Sequence, residues 1–402
     1  MNKQTNKLIP ERRFPEFLDE GEWVVEELGN CLNYLQPTNY LVSSTAYQNK
    51  FKIPVLTAGK TFILGYTDEE YGIFSEKLPV IIFDDFTTAS KYVDFAFKAK
   101  SSAMKILLSK NNNDIKFVFE LMQTIGYEVG VHERHWISTF TKLKITIPSL
   151  SEQQRIASCL SSLDEVITAH TNKLETLKTY KKGLMQNLFP QEGEKVPKLR
   201  FKEFEKDGVW IEKSLDYLTT KISDGIHTTP NYDDAEDYYF INGNNLIDGK
   251  IWIDIKTKRV SKEEYNRHKR DLNDSTILLS INGTIGNIAE YNNEKVVLGK
   301  SACYINVDKI KVVKTFIIYF IQTNSIKSYY DSELTGSTIK NLSLKSIKET
   351  VIKVPNKHKE QQKIADTLSS LDELIKEQAD KIEQLKLHKK GLMQGLFPKV
   401  KN

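Results

Sequence analysis

Cysteine is scarce in this chain: its 402 residues include three, Cys31, Cys159 and Cys303. No two of them are close enough in sequence to act as a pair of zinc ligands, and three cannot build the disulfide framework of a small secreted domain. The cysteine content therefore favours the reducing cytoplasm, and we expect no structural disulfide and no metal site in this chain.

Long apolar stretches are also lacking. The longest apolar run, FIIYFI at residues 316–321, is far shorter than the roughly 20 residues that a membrane-spanning helix needs. The chain opens with the polar residues MNKQ and no hydrophobic stretch follows them, so no signal peptide is visible. We therefore expect a cytoplasmic protein without a membrane partner.

The two signs of charge nearly balance, since 57 Lys and Arg residues face 53 Asp and Glu residues for a net charge of +4. A protein that binds DNA through non-specific charge alone would be far more basic. Any positive surface for nucleic acid must then be local, or partners must supply part of it. The content of 40% hydrophobic and 27% charged residues is typical of a folded protein, and the length suits two or three domains.

No run in the sequence meets the requirements of a catalytic motif. The HERH run at residues 132–135 spaces its histidines three apart, whereas the zinc-protease helix needs a spacing of four. The GKS run at residues 299–301 resembles the end of a phosphate-binding loop, but Glu294 stands where that motif needs its first glycine. The Asn-Pro-Pro-Tyr or Asp-Pro-Pro-Tyr run of amino-methyltransferases is missing too. We therefore predict no catalytic residue and no cofactor in this chain.

What the chain does contain is an internal repeat. Residues 152–190 read EQQRIASCLSSLDEVITAHTNKLETLKTYKKGLMQNLFP, and residues 360–398 read EQQKIADTLSSLDELIKEQADKIEQLKLHKKGLMQGLFP, with 25 of 39 positions identical. A fainter match, RFPEF at residues 13–17 and RFKEF at residues 200–204, precedes each copy and is followed by a tryptophan at the same interval. So long a period indicates a duplicated module rather than a solenoid.

Both copies of the repeat have a heptad pattern. Apolar residues alternate at spacings of three and four, which is the pattern by which two helices pair along a seam. At 1.5 Å per residue each helix would be about 55 Å long. The predicted seam consists of Leu160, Leu163, Ile167, His170, Leu174, Leu177 and Leu184 in the first copy and Leu368, Leu371, Ile375, Gln378, Ile382, Leu385 and Leu392 in the second.

The ends of the predicted helices carry their own signals. Ser151 and Gln154 have the spacing of a capping box, with Glu152 in the first turn. A Phe-Pro pair ends each copy, because proline cannot continue the hydrogen-bond ladder. Each helix ends beside the start of a variable block, so we expect antiparallel pairing, with the two blocks at opposite ends of a rod.

Two polar layers interrupt the seam at matching places. His170 corresponds to Gln378, and Lys181 corresponds to Lys389. We interpret His170 as a polar seam residue that fixes the register rather than as a catalytic or metal-binding residue. For the lysines we expect positions near the ends of the pair, where their ammonium groups can reach water.

The blocks between the repeats, about residues 29–148 and 216–355, show little similarity to each other and mix strand with helix patterns. The predicted fold class is therefore α+β (mixed α/β), with two globular domains separated by two long helices. The predicted segments are a first domain at 1–149, a helix at 150–190, a second domain at 191–355 and a helix at 356–402. Within the blocks we predict strands at 80–83, 105–108, 275–281, 287–291 and 296–298 and helices at 114–125 and 314–323.

Over essentially its whole length, the sequence resembles the specificity subunits of type I restriction–modification systems. The resemblance rests on the repeated EQQ-[RK]-IA, LSSLDE and KKGLMQ-x-LFP segments of the helices. In the second block it includes DGIHTTP, ILLS, GTIG and LTGST, and in the first block IPVLTAGK, GYTD and DDFT. The two blocks are similar to different types of target-recognition domain.

The resemblance implies a DNA-reading scaffold without a catalytic centre. Each block would be a target-recognition domain for one half of a bipartite site in double-stranded DNA. The paired helices would set the separation of the half-sites and dock two methyltransferase subunits, which bring S-adenosylmethionine. Restriction subunits that use ATP and Mg²⁺ would translocate and cleave DNA, so the complex would serve DNA methylation and phage defence.

The candidate DNA contacts are polar, glycine-punctuated loops and nearby cations. Asn can read adenine and Lys or Arg can read guanine or bind phosphate, although the same Asn-Gly and Ser-Thr clusters are also ordinary turn chemistry. The candidates are Lys60, Tyr66, Thr87, Lys91 and Arg134 in the first block and His227, Thr228, Asn242, Asn244, Asn245, Asn282, Thr284, Lys300, Ser337, Thr338, Lys340 and Asn341 in the second.

Two other functions remain as alternatives at this point. A self-sufficient nuclease or methyltransferase would methylate or cleave DNA as the isolated chain. A coiled-coil adapter unrelated to DNA would show no sequence-dependent DNA binding even with its partners present.

Overall fold

Both copies of the repeat are helical: one continuous helix covers Leu150–Asn187 and another covers His358–Leu396. The prediction of two long helices is confirmed. Each helix ends before its Phe-Pro pair, because Phe189 and Phe397 turn into the apolar cores that lie beside the helix ends.

The predicted capping box at Ser151 is wrong. The first helix begins at Leu150, so Ser151 lies inside it, and the hydroxyl of Ser149 instead accepts a hydrogen bond from the backbone N–H of Glu152 at 3.4 Å. Glu152 lies in the first turn, as predicted, where it is 1% exposed and paired with an arginine.

The computed structural model describes residues 8–59, 61–127, 134–335 and 340–398. The chain forms two units: unit 1 comprises residues 1–171 and 380–402, and unit 2 comprises residues 172–379. Each unit therefore contains one variable block together with a part of each long helix. Within the described residues, no helix is both long and apolar enough to cross a membrane.

The described residues of unit 1 form three small sheets and three short helices, besides the parts of the long helices. The strand orders are β1-β9, β2-β8-β5-β6 and β4-β3-β7, and the pairs are antiparallel except for β3 with β7. The elements are β1 (Val24–Glu27), α1 (Leu28–Cys31), β2 (Leu32–Leu35), β3 (Ile53–Leu56), β4 (Ile63–Thr67), β5 (Val80–Asp84), β6 (Ser90–Val93), β7 (Lys98–Ala99), β8 (Met104–Ser109), α2 (Ile115–Thr124), α3 (His135–Ser138), β9 (Lys144–Ile147) and the start of α4 (Leu150–Asn187).

The main core of unit 1 lies between α2, the four-stranded sheet and the long helices. Phe117 on α2 contacts the rings of Trp23 and Phe397, at centroid distances of 5.8 and 5.4 Å. Phe397 directly follows the second long helix, so a residue from the C-terminal part of the chain completes the core of the first variable block.

Unit 2 contains a two-stranded sheet, β10-β20, a six-stranded sheet, β11-β19-β16-β17-β14-β13, and a three-stranded sheet, β15-β12-β18. Its elements are β10 (Ile211–Ser214), β11 (Thr219–Asp224), β12 (Tyr238–Ile241), β13 (Leu246–Ile247), β14 (Gly249–Ile251), β15 (Arg259–Val260), α5 (Lys262–His268), β16 (Thr276–Ser280), β17 (Ile288–Glu290), β18 (Val296–Leu298), β19 (Ala302–Val307), α6 (Lys314–Ile321), α7 (Asn324–Ser332), α8 (Leu344–Glu349), β20 (Val351–Val354) and the start of α9 (His358–Leu396). The predicted strands and helices of both blocks are confirmed, with ends that differ by one or two residues.

The long helices run antiparallel within each unit, as predicted. In unit 1, Leu160 of α4 shares the core with Leu396 of α9, and further along α4 Asp164 bonds Lys389, so one residue number rises as the other falls. In unit 2, Leu188 shares the core with Leu368, and Lys181 bonds Asp372. Every predicted seam residue is buried or half-buried.

Candidate nucleic-acid interface

Three segments of unit 2 run side by side in the same direction and end at one edge. Strands β12 and β18 are parallel, and the N–H of Gly299 donates to the carbonyl of Ile241 at 2.8 Å. On the other side of β18, the N–H of Ile226 donates to the carbonyl of Leu298 at 2.7 Å, in a parallel bridge. The residues that follow these segments must therefore leave the sheet at the same edge.

Those following residues are His227, Asn242 and Lys300, which were predicted from separate parts of the sequence. The end of β16 lies beside them, because the N–H of Ile281 donates to the carbonyl of Ser301 at 3.0 Å. We call this region the loop edge of unit 2 and define it as residues 224–230, 242–245, 282–286, 299–301 and 340–341.

Glycines allow the loops to come this close. A Cβ atom on Gly225 would lie 2.0 Å from the carbonyl oxygen of Leu298, and one on Gly243 would lie 2.1 Å from the hydroxyl of Ser280. Both distances are well inside van der Waals contact, so any larger residue would push the loops apart.

Turn chemistry uses the side chains of two candidates. The amide oxygen of Asn242 accepts from the hydroxyl of Ser301 at 3.0 Å, and the amide oxygen of Asn245 accepts from the N–H of Asn242 at 2.9 Å. The amide nitrogen of Asn245 donates to the carbonyl of Trp252 at 3.1 Å. These bonds hold the turn and leave Asn244 exposed at its tip, while DNA contact by Asn242 or Asn245 stays a prediction.

His227 stands out among the exposed candidates, because its Nε2 lies 2.7 Å from the carboxylate of Asp224 while 60% of its side chain is exposed.

Asn282 and Asn341 are half-buried and form an isolated antiparallel β-bridge, which brings the 340–341 loop to the same edge. Ser337 and Thr338 lie outside the described residues. The exposed candidates at this edge are His227, Thr228, Asn244, Thr284, Lys300 and Lys340.

In unit 1 the candidates fall into two groups. The β5–β6 turn holds Thr87, whose N–H donates to the carboxylate of Asp84 at 2.9 Å, and the exposed Lys91 follows on β6. Asp85 joins this turn to the segment after Arg134, because its carbonyl accepts from the N–H of His135 at 2.8 Å. Thr87 and Arg134 are both exposed, so this turn region is the candidate surface of unit 1.

The other unit 1 candidates lie apart from the turn. Tyr66 is half-buried on β4, in the three-stranded sheet, and Lys60 lies outside the described residues. Below the turn, Lys105 and Asp85 form an ion pair at 3.3 Å whose side chains are 1–2% exposed. Sequence reasoning missed this pair, because nothing in the sequence linked Asp85 of the DDFT segment to Lys105.

The described part of the HERH run, Arg134 and His135, does not form a zinc site. The first two residues of the run lie outside the described residues, and His135 is buried with its Nδ1 3.2 Å from the hydroxyl of Tyr127. Among the described residues, no group of three or more His, Cys, Asp and Glu side chains could hold a metal ion.

A buried arginine–glutamate pair recurs in both units. In unit 1 the guanidinium of Arg13 donates to both carboxylate oxygens of Glu152, at 2.8 and 2.7 Å. In unit 2 Arg200 binds both oxygens of Glu360 in the same way, at 2.7 and 2.8 Å. The sequence carried the signal, since each arginine opens the faint match and each glutamate opens the strong repeat, but nothing in the spacing linked the two.

The two seam lysines do not reach out to water as expected. Lys181 is 22% exposed and pairs with Asp372, while Lys389 is 17% exposed and pairs with Asp164. The expectation is wrong because the repeat supplies an aspartate to each lysine across the antiparallel pair.

Each pair is completed by the domain of its own unit. In unit 1, Lys116 of α2 donates to Asp164 at 2.8 Å and to Glu120 at 2.7 Å. Burial disfavours the charged form of Lys116, but these hydrogen bonds outweigh it and raise its pKa. For Asp164, burial raises the pKa, and the hydrogen bonds from Lys116 and Lys389 outweigh that effect and lower it. In unit 2 the hydroxyl of Tyr319 donates to Asp372 at 2.8 Å.

Comparison with known proteins identifies this arrangement. The model of the type I restriction–modification DNA specificity domain matches residues 20–179 and 210–387. The chain belongs to the type I restriction–modification DNA specificity family. It is therefore a DNA-recognition subunit with two target-recognition domains and no catalytic function of its own.

Curated relatives agree with the family. The specificity subunit of the Escherichia coli restriction enzymes EcoR124I and EcoR124II is 34% identical over 383 residues, which cover 88% of this chain and 87% of the relative. The specificity subunit described for the MjaX enzyme of Methanocaldococcus jannaschii is 28% identical over 266 residues, or 63% of this chain and 58% of the relative.

Among solved structures, the specificity subunit of a type I system from M. genitalium has the same fold, with a TM-score of 0.64 at 15% identity, covering 98% of this chain and 100% of that one. A chain from a structure of type I complex assembly and conformational transition has a TM-score of 0.53 at 14% identity, covering 94% and 97%.

Proposed function

We propose that each variable block reads one half of a bipartite site in double-stranded DNA and that the paired helices set the distance between the half-sites. The duplicated framework supports this proposal, because it presents two unlike domains on equivalent supports. The segments that we assign to these roles are 1–149 and 191–355 for the domains and 150–190 and 356–402 for the helices.

The loop edge of unit 2 is the observation that carries the proposal. Three parallel segments deliver His227, Asn242 and Lys300 to one edge, and the exposed side chains there can donate and accept hydrogen bonds. Base edges in the major groove present donors and acceptors in a pattern that such side chains can distinguish. In unit 1 we assign the same role to the turn that holds Thr87 and Arg134.

The partners belong to the same proposal. Two methyltransferase subunits would dock on the helices and bring S-adenosylmethionine, and restriction subunits would bring the ATP- and Mg²⁺-dependent steps. A net charge of +4 is small for a protein that grips DNA alone, so shared binding with methyltransferase subunits agrees with the composition. We place the complex in the cytoplasm, where its DNA is.

Genome-wide adenine methylation tests the proposal. Cells that express this chain with the methyltransferase subunit of its own host should acquire a bipartite methylated motif that is missing from cells without the chain. If the complex forms and no motif appears, the domains do not read DNA as proposed. Insertion of a few residues into both helices should change only the spacer between the half-sites.

Single substitutions at the loop edge locate the reading surface. Lys300→Ala should relax or abolish recognition at one position of one half-site and leave the other half-site intact. Lys345→Ala is the matched control, since this lysine is 81% exposed on α8, outside the loop edge. An unchanged motif in both variants would remove Lys300 from the reading surface.

A further inference from the structure

The three-stranded sheet of unit 2 has one face that the site described so far does not use. Along β12, Tyr238 and Phe240 pack with Ile226, Val260 and Val297, while the alternating residues turn to the larger core on the other side. This division follows from the two-residue period of a strand. The first face carries aromatic side chains that are only half-buried.

Two lysines lie over tyrosine rings on this face. The Nζ of Lys258 is 5.5 Å from the centroid of the Tyr232 ring, and the Nζ of Lys295 is 5.4 Å from that of Tyr238. Both lysines are exposed, and neither has an ion-pair partner in the part of the chain that the structure describes. A ring orients an ammonium group without neutralising it, so both charges remain available to an anion. We call these four residues the lysine–tyrosine face.

The lysine–tyrosine face is continuous with the loop edge. Strand β18 begins directly after Lys295 and ends two residues before Lys300 of the loop edge, while Tyr232 follows the 224–230 loop in sequence. The carbonyl of Lys258 accepts from the N–H of Phe240 at 2.8 Å, one residue before the end of β12. A duplex that presents its bases to the loop edge would therefore have phosphates near this face.

Acidic residues border the face and limit how a polyanion can approach. The run DDAED occupies residues 233–237, and Arg259, from the opposite face, lies 3.6 Å from Asp237. Asp234 is exposed, so it would repel a phosphate that came near the turn. Removal of the Asp234 charge should therefore strengthen DNA binding, whereas removal of the lysine charges should weaken it.

We propose that the lysine–tyrosine face binds the phosphate backbone beside the half-site that unit 2 reads, with Lys258 and Lys295 contacting one phosphate each. The proposal rests on the proposed function. Lysine and tyrosine contacts to phosphates fix the register of a protein on DNA but carry no sequence information. The face therefore adds affinity and position, whereas the loop edge adds discrimination.

The salt dependence of binding separates these roles. The measurement uses the complete chain in complex with its methyltransferase subunits and compares DNA that carries the methylated motif with scrambled DNA over a range of salt concentrations. For Lys258→Ala with Lys295→Ala, the slope of log affinity against log salt should become shallower by about 1.8, since each phosphate contact contributes about 0.9. The preference for motif over scrambled DNA should stay unchanged.

Matched variants make the result specific. The double control Lys327→Ala with Lys345→Ala removes two exposed lysines of the same unit outside the face and should leave the slope as it is. Lys258→Arg with Lys295→Arg keeps both charges and should keep the slope, which excludes a general loss of structure. Asp234→Asn should strengthen binding to motif and scrambled DNA alike.

Two outcomes overturn the proposal: an unchanged slope, with or without a loss of sequence preference, or a loss of methyltransferase binding, which would make the face a protein contact. If the wild-type complex itself shows no preference for any motif, the proposed function fails first. If the wild-type complex prefers motif DNA but the double alanine variant keeps the wild-type slope of log affinity against log salt, only the phosphate-binding role of the face is refuted.

Discussion

In unit 1 the carboxylate of Asp164 accepts hydrogen bonds from two lysines, Lys116 and Lys389, whereas the equivalent Asp372 of unit 2 meets Lys181 and the hydroxyl of Tyr319. The aspartate and the lysine across the helix pair come from the repeat, so they are the same in both units. The third group comes from the variable domain, and it differs.

The two domain helices begin at equivalent places beside the long helices. A glutamine near the start of each long helix accepts a hydrogen bond from the backbone N–H of the residue that precedes a helix of the domain. In unit 1 the N–H of Asp114 donates to Gln153, and in unit 2 the N–H of Val313 donates to Gln361, both at 2.9 Å. Glu120 and Tyr319 each stand six positions later, and each contacts the lysine of the repeat. The group that bonds Asp164 in unit 1, Lys116, stands two positions after Asp114 instead. The comparison shows that one duplicated framework accepts unlike domains when the helix of each domain offers a polar group to the repeated aspartate.

Removal of the buried glutamates should have the largest effect. Glu152→Ala leaves Arg13 buried and unpaired and should cost about 3–5 kcal/mol in unit 1. Glu360→Ala should cost at least as much in unit 2, because the indole N–H of Trp210 also loses its acceptor. Hydrogen exchange read separately for peptides of each unit measures both losses.

An exposed pair provides the control for these variants. Glu16→Ala breaks the ion pair between Glu16 and Arg155, whose side chains are 47% and 50% exposed, and should destabilise unit 1 far less than Glu152→Ala does. Equal effects of Glu16→Ala and Glu152→Ala would show that the arginine–glutamate pairs do not support the framework.

Substitution of the repeated aspartates should affect the units unequally. Asp164→Asn leaves Lys116 and Lys389 with Glu120 as their one shared carboxylate and should cost about 1.5–3 kcal/mol in unit 1. Asp372→Asn leaves one lysine over the ring of Tyr319 and should cost about 1 kcal/mol in unit 2. Equal losses in the same exchange measurement would contradict the difference between the two docking contacts.

The hydroxyl of Tyr319 should contribute about as much to unit 2 as Asp372 does. Tyr319→Phe keeps the ring beneath Lys181 and removes the hydrogen bond to Asp372, at a cost of about 1 kcal/mol. Unit 2 should show the loss in hydrogen exchange, and unit 1 should not. A loss of several kcal/mol would mean that the hydroxyl, rather than the ring and the ion pair, holds the domain helix.

Acid should distinguish the wild-type protein from the Asp164→Asn variant. Since the folded state lowers the pKa of Asp164, this carboxylate stabilises unit 1 above about pH 4, and the contribution is lost as the pH falls through the lowered value. Hydrogen exchange of unit 1, corrected for the intrinsic rates, should therefore rise more steeply below pH 4 in the wild type. Parallel profiles would remove Asp164 from the acid response.

The sequence predicted the framework well and its contacts poorly. The helices were visible because heptad spacing and a duplicated segment are signals within a short window. The Arg13–Glu152 pair was not visible, because it joins residues 139 positions apart and pair contacts at that range depend on the fold. The lysine layers were misjudged for the same reason, since their aspartates lie on the other helix.

The candidate site shows the same division. Turn chemistry marked Asn242 and Lys300 as loop residues, but only the parallel pairing of β12 and β18 brings them to one edge. Tyr232 and Lys258 carried no signal at all, because a lysine over a tyrosine ring depends on which strands are neighbours.

The most direct test of the whole account is an exchange of residues 29–148 for the corresponding block of a relative with a different half-site, followed by sequencing of methylated adenines. The account predicts that one half-site changes while the other half-site and the spacer stay as they were. A change of both half-sites together would contradict the division into two independently reading domains on one duplicated framework.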